Sequence, residues 1–469
     1  MTDQPIPHDR PTPPDAGVTG VIPTVAGASG AVIPSELLQL PPKDPQRRLV
    51  IVVRADPVIC GHSVEARNLA EVALTRGFDD IRIVSWPLER LEEAGLPLKP
   101  YDRVLPYSDG ITVERPEAVG DYKVVDGRYT SGMIGRLVEL FTDGVPTVCM
   151  SLYLSPHTLC VSEALRIAKG TGLPVDVTTI AEAVGSDVTN VVRAVVERGQ
   201  FGAAAQILEA YLESDVCVAV SQYTKDLIVE EAAKVDELHG TSYAQRCLDK
   251  VAVSYPAIDA SVYVEIDDDE VDSALAQRGL ERDKFVLFLS RLTSAKGVDD
   301  LIDGFERSAA SDDHTLVIAG RGPQAEAFRA HAAASQVADR VVFLDDVGDG
   351  EKPALMAGCA AYALPSKPRP EFVETFGIAL AEKMLAGGGP VITALTGGIQ
   401  EAVGEHALIV PVEDPDAIAA ALDEALGMSP GDRRDAARRA RDYAIRFDRQ
   451  NVFDALFARL PGAPAAVPA

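Results

Sequence analysis

The sequence predicts an α/β protein built from two doubly wound parallel sheets. Three observations predict it. Short apolar runs recur without polar alternation, from Leu49-Val50-Ile51-Val52-Val53 to Phe285-Val286-Leu287-Phe288-Leu289, the pattern of strands buried on both faces. A polar loop and a helical period follow most of these runs, which is the rhythm of βαβ units. The rhythm runs once, pauses at Tyr255-Pro256-Ala257-Ile258-Asp259, and starts again. A chain of 469 residues, 47% of them hydrophobic, is long enough for two such domains.

Residues 1–45 are rich in Pro, Gly, Ala and Thr and read as a flexible tail. The first domain, residues 46–255, opens with the strand Leu49 to Val53, the loop Arg54 to Gly61, a helix from Ser63 to Thr75 and a strand from Ile81 to Trp86. The proline-dotted stretch from Glu89 to Asp126 gives no periodic signal. Strands are expected at Pro146 to Met150 and Pro174 to Thr178, with the helix Val161 to Lys169 between them. Asp187 to Tyr211 reads as one long helical region, and Val216 to Ser221 as a strand leading into a helix. The second domain, residues 256–430, has expected strands at Phe285 to Leu289, Leu316 to Ala319, Val341 to Leu344, Ala361 to Leu364 and Val391-Ile392. Its acidic run Ile266-Asp267-Asp268-Asp269-Glu270 reads as a solvated turn. Asp414 caps a helix through Leu426, residues 431–460 form C-terminal helices that cross back to the first domain, and 461–469 is a tail.

Composition excludes several partners. Lys plus Arg number 44 against 71 Asp plus Glu, a net charge of −27; such a surface repels nucleic acid and anionic lipid. No apolar run approaches the ~18 to 20 residues of a membrane span, and the N-terminus has no basic head or apolar segment of the secretory kind. The six cysteines are scattered without a C-x-x-C pair, so they read as reduced thiols of a cytoplasmic protein and give no zinc site.

Four clusters carry chemistry. Ser290-Arg291-Leu292-Thr293-Ser294-Ala295-Lys296-Gly297 follows a strand and precedes a helix, where a guanidinium fork and an ammonium can hold phosphate. Gly320-Arg321-Gly322-Pro323 permits close backbone approach. Glu374 and Glu382 flank Phe376-Gly377-Ile378; a mostly helical segment would set them about 12 Å apart, at opposite ends of an extended ligand. That exceeds the roughly 5 to 9.5 Å of a glycosidase acid/base pair. Gly397-Gly398-Ile399-Gln400-Glu401 is a glycine turn entering a helix. No G-x-G-x-x-G follows either domain's first strand, which argues against a dinucleotide oxidoreductase.

Taken together, S-R-L-T-S-A-K-G, A-G-R-G-P, R-V-V-F-L and E-T-F-G-I-A-L-A-E-K-M-L-A-G-G-G-P-V-I-T followed by G-G-I-Q-E resemble the retaining glycosyltransferases of GT-B fold, glycosyltransferase family 4, the group that includes sucrose-phosphate synthase and mycothiol-pathway enzymes. The resemblance covers residues 284–426 closely and the first domain loosely. It implies two facing Rossmann-like domains, a UDP- or GDP-linked sugar donor in the cleft between them, and a small polar acceptor. Arg291 and Lys296 would hold the donor diphosphate, Glu374 the transferred sugar and Glu382 the ribose. Gly61, Gly322, and the backbone of Phe376, Gly377 and Ile378 would approach the donor, and the base would rest near Val342. His62, His157 and Asp187 are candidates for the acceptor. Val184 and Cys149-Met150-Ser151 stand where many members carry histidines, with His157 following shortly.

The resemblance further implies a front-face displacement in which the departing diphosphate takes the acceptor's proton, with no metal required and Mg2+ at most an accessory. The chain's negative charge favours a neutral or cationic acceptor, such as an amino-sugar or aminocyclitol. The rival readings are a phosphorylase or epimerase on the same scaffold, and a non-catalytic sugar-nucleotide-binding partner subunit.

Overall fold

The computed structural model describes residues 47–120, 125–370 and 372–462. The expected tails fall outside these residues except for Pro461 and Gly462. The first sheet holds seven strands: β1 (Arg48–Val52), β2 (Asp80–Val84), β3 (Ile111–Glu114), β4 (Thr147–Leu152), β5 (Val177–Ala183), β6 (Val216–Ala219) and β7 (Val251–Val253). Their order is β3-β2-β1-β4-β5-β6-β7, and each pairing is parallel. The second sheet holds β8 (Phe285–Leu289), β9 (Thr315–Ala319), β10 (Val341–Leu344), β11 (Ala361–Leu364), β12 (Val391–Thr393) and β13 (Ala407–Ile409), in the order β10-β9-β8-β11-β12-β13, again parallel. The central strands β1, β4, β8 and β11 are almost wholly buried, as their unbroken apolar runs require.

Four expectations are corrected. Glu89 to Asp126 is not featureless: it contains the edge strand β3 and a helix beginning at Val125. The strand read at Pro174 starts at Val177 and continues through Ala183, because Pro174 lacks the N–H a ladder needs. The region from Asp187 to Tyr211 is a wide helical turn, Val188–Arg193, a short segment, Ala194–Glu197, and a separate helix, Phe201–Glu213; Gly199, at φ +66°, breaks it. The acidic run is a helix start, with Asp267 accepting a 2.7 Å bond from the Glu270 N–H.

The chain leaves the first domain near Tyr255 and returns near Phe447. Ile258 and its neighbours form the seam, with Ile258 N–H donating to Phe447 O at 2.9 Å and Arg449 N–H donating to Ile258 O at 2.7 Å. The last helix, Arg449–Phe457, then packs Phe453 and Phe457 against Phe78 of the first domain, at ring distances of 6.3 and 5.7 Å. Among the described residues no helix is long and apolar enough to cross a membrane.

Candidate active site

Parallel sheets present their loops at the strands' carboxyl ends, and here both sets of loops meet in one cleft. The E-T-F-G loop is its hub. Phe376 is buried, its ring 5.5 Å from Tyr255 and 5.0 Å from Phe447, so the side chain anchors the loop to the interdomain seam and only the backbone can face a ligand. Gly377, at φ +101°, turns the chain into the helix Ile378–Ala386. Glu374 lies in the loop four residues before this helix, so the helical spacing expected between it and Glu382 does not apply.

The first domain closes on this hub at three points. A Cβ on Gly61 would sit 2.9 Å from the Ile378 Cδ1, and one on Gly185 would sit 2.1 Å from the Thr375 Cγ2. Thr375 Oγ1 donates to Val184 O at 3.1 Å, and Ser221 Oγ donates to Thr375 O at 2.6 Å. Glu401 reaches the other way, accepting from the N–H groups of Gln222 and Tyr223 at 2.8 and 3.1 Å. It thereby caps the first-domain helix Gln222–His239 from the second domain. Thr375, Ser221 and Glu401 were not singled out from sequence, although Thr375 and Glu401 sit within recognised motifs and Ser221 ends an expected strand.

Within the second domain, Lys296 and Glu374 form a close ion pair and are both nearly buried. Phe372 lies beneath the cations, its ring 4.8 Å from Lys296 Nζ and 5.8 Å from the Arg291 guanidinium. Arg291 is exposed and forms no ion pair among the described residues. Gly320 and Gly322 pack against the backbone of Ser290 and Leu292, where a Cβ would come within 1.9 and 2.2 Å of carbonyl oxygens. Their close approach is to the loop that carries Arg291. Glu382 pairs with Lys352 at 2.6 Å, and both line a cavity of about 640 Å³ together with Gly61, Tyr263 and Ile378. Lys99 crosses this cavity's rim, 2.7 Å from Asp349 and 3.5 Å from Asp56. Val342 is partly exposed on the edge strand β10.

The three acceptor candidates separate. His62 accepts from Arg54 Nη2 at 3.2 Å; burial first, then the nearby charges of Arg54 and Arg291, hold its pKa down at about 3. Asp187 is fully buried and accepts backbone N–H bonds from Leu154, Val184, Gly185 and Val188 at 2.9 to 3.1 Å. It knits two loops together. His157 is also buried, accepting from Trp86 Nε1 at 3.3 Å, with its pKa lowered to about 3 chiefly by burial. Its ring packs between those of Trp86 and Tyr153, at 6.2 and 5.8 Å. Tyr153, at φ +132°, lies between these groups in a conformation costing about 1 to 3 kcal/mol.

One buried pair escaped the sequence. Glu65, on the helix Gly61–Leu74, and Glu182, on β5, face each other beneath the cleft. Burial raises Glu65 to about 7 and Glu182 well above the usual carboxylate range. No three His, Cys, Asp or Glu side chains converge on a metal-sized site among the described residues.

A family model described as "Glycosyl transferases group 1" matches residues 272–444, the span that carries Arg291, Lys296, Glu374 and Glu382. Solved structures share the whole two-domain fold, which is GT-B: HepE of Anabaena in complex with UDP-glucose superposes with a TM-score of 0.63 at 16% identity, covering 87% of this chain and 98% of that one. Sucrose-phosphate synthase from Thermosynechococcus elongatus gives 0.59 at 18% identity, covering 88% and 98%. Among curated relatives, a GDP-mannose-dependent alpha-(1-6)-phosphatidylinositol monomannoside mannosyltransferase of Mycolicibacterium smegmatis is 29% identical over 219 residues, 46% of this chain and 53% of that protein. A D-inositol 3-phosphate glycosyltransferase of Salinispora tropica is 32% identical over 215 residues, 42% and 43% of the two chains. The match thus spans about half of these curated relatives' length or less.

Proposed function

We propose that the protein transfers a hexosyl group, with retention of anomeric configuration, from a nucleoside diphosphate sugar to a small polar acceptor. The observation that carries this is the convergence of Arg291, the Lys296–Glu374 pair and the N-terminus of the helix Ile378–Ala386 on one cleft, closed by Gly61 from the facing domain. An anionic diphosphate suits the cations and the exposed N–H groups of that helix. Glu374 and Glu382 lie on opposite sides of the loop and each has a lysine partner, which supports sugar and ribose binding at the two ends of one donor. A GDP-mannose or UDP-glucose donor is favoured by the relatives' chemistry.

In the reaction the bond from the anomeric carbon to the β-phosphate oxygen breaks while a bond to the acceptor oxygen forms on the same face. The acceptor's proton passes to the departing diphosphate, and Arg291, Lys296 and the helix N-terminus stabilise the charge that grows there. No step calls for a metal. Contacts such as Lys99–Asp349 and Ser221–Thr375 bring the domains together and exclude water from a donor that would otherwise hydrolyse.

The test is a thermal-shift screen with UDP, GDP, ADP and dTDP, with and without magnesium. A nucleotide at about 100 times its dissociation constant adds roughly 2.7 kcal/mol of stability. A shift with one diphosphate names the base; flat curves with all four remove the transferase reading.

A further inference from the structure

A second cavity of the catalytic half shares Tyr263 and Ile266 with the cleft cavity as lining and otherwise has its own walls. Its volume is about 620 Å³, enough for a small organic molecule. The C-terminal end of the helix Ile378–Ala386 forms one wall, and the helix Pro430–Ala444 another. Four arginines and three aspartates line it, in a protein whose net charge is −27. The local excess of cations therefore runs against the character of the whole chain.

The aspartates are already committed. Asp267 accepts from the Glu270 N–H at 2.7 Å, Asp268 pairs with Arg282 at 3.0 Å, and Asp283 pairs with Arg433 at 2.9 Å. The cations are not. Arg433 Nε is buried without a hydrogen-bond partner. Arg441 is bonded only to carbonyls, Leu385 O and Ala386 O, at 2.8 and 3.1 Å, and Arg434 has no partner among the described residues. Lys383 is buried behind the same wall, and its Nζ donates to Gly387 O, between the lining residues Ala386 and Gly388. No carboxylate pairs with it among the described residues, and burial holds its pKa below the usual lysine range. A buried donor without an acceptor and a buried amine without a counter-ion both cost stability until an anion completes them.

Phosphate suits this set, because its oxygens match the fork of a guanidinium and carry the missing charge. A bare ion would leave most of the space empty, and Val264, Ile266, Ala357 and Ala437 offer apolar surface to the body of a larger ligand. We infer that this cavity is a second ligand site, separate from donor and acceptor, which takes a small organic phosphate on Arg433, Arg434 and Arg441. Its occupant touches Tyr263. That ring is buried, with Lys352 Nζ 5.6 Å from its centre, and Lys352 is the partner of Glu382 at 2.6 Å. A filled cavity limits the positions open to Tyr263 and so steadies the Lys352–Glu382 pair on the donor side. Binding at the two sites is then positively coupled. The coupling rests on the glycosyltransferase reading; the site itself does not.

The experiment uses the full chain saturated with whichever nucleoside diphosphate binds, so that the donor phosphate site is filled. Calorimetric titrations compare glucose 6-phosphate and inorganic phosphate with glucose, for wild type, Arg433→Gln and Arg434→Gln. The expected result is binding of both phosphates, the organic one more tightly, and not of glucose, with affinity about tenfold or more lower in each variant. Arg434 is exposed and bonded to nothing among the described residues, so its replacement leaves the fold intact even if that of Arg433 does not. Titrating the nucleotide with and without saturating glucose 6-phosphate reads the coupling: nucleotide affinity should rise about fivefold or more in wild type and stay flat in Arg434→Gln. No phosphate binding, or equal binding to wild type and both variants, overturns the site. Binding of inorganic phosphate alone means an adventitious ion only and overturns the organic ligand. Unchanged nucleotide affinity overturns the coupling. If no nucleotide binds at all, the transferase reading fails, and the same phosphate titrations into the free chain still decide the site.

Discussion

Lys296 and Glu374 are each other's counter-ion, so a ligand that draws the lysine to its phosphate must also offer the glutamate something to accept from. A sugar with hydroxyl groups next to a diphosphate does both. Arg291 has no such internal partner among the described residues, which makes it the cleaner probe. Arg291→Ala is expected to lower turnover by a factor of order 10² or more while the fold survives, because it removes a preorganised donor at developing charge. Initial rates with a saturating donor check it, and rates near wild type would end the leaving-group assignment. Glu382→Ala is expected to weaken free nucleoside diphosphate about tenfold, the loss typical of a charged hydrogen bond, read by titration. A changed sugar preference with unchanged nucleotide affinity would instead mean that the two glutamates have exchanged roles.

At the scale of elements, glycines and caps set the distance between loops. Gly397, at φ +56°, brings its turn so close that a Cβ would lie 1.9 Å from Glu374 O. Gly397→Ala therefore combines left-handed strain with a backbone clash and is expected to cost about 3 kcal/mol or more, displacing Glu374 as it does so. Urea unfolding measures the first effect and donor affinity the second. Gly61→Ala is the contrast: its Cβ meets only the tip of Ile378, so stability should change little, and any loss of activity reports on space needed by the ligand. Glu401→Ala removes both acceptors that cap the helix Gln222–His239 across the cleft. A destabilisation of about 0.5 to 2 kcal/mol is expected from the lost cap.

For the whole molecule, the buried Glu65–Glu182 pair ties stability to pH. Glu65 Oε1 accepts from Ala257 N–H at 3.3 Å, and Asn68 Nδ2 donates to Ala257 O at 2.9 Å, so the pair lies against the point where the chain crosses between domains. Glu65 titrates at about 7 in the folded state and near 4.3 when unfolded. The folded pKa is the higher one, so this stabilisation is complete below the unfolded pKa and is lost as pH rises through about 7. Urea midpoints of the wild type should fall between mildly acidic and mildly alkaline buffer, and Glu182→Gln should flatten that slope. Equal slopes would show that the pair does not take up protons on folding.

The sequence by itself determined the two parallel sheets and the crossing at Tyr255 to Asp259, and it located the loops that follow the second domain's strands, because these rest on local patterns. A buried strand must be apolar throughout, and a phosphate-binding loop must follow a strand directly. Those signals survive in a single chain read alone. The short strands β3, β7 and β13 and the break at Gly199 were not legible, since three or four residues at a sheet edge or a single glycine give no period to read. Only the tertiary structure decided which polar residues face the cleft. Asp187 and His157 sit beside site motifs in sequence yet point into the protein, whereas Thr375 and Glu401 gain their roles from partners more than a hundred residues away. Burial and the supply of hydrogen-bond partners are properties of three-dimensional packing, and no local pattern encodes them.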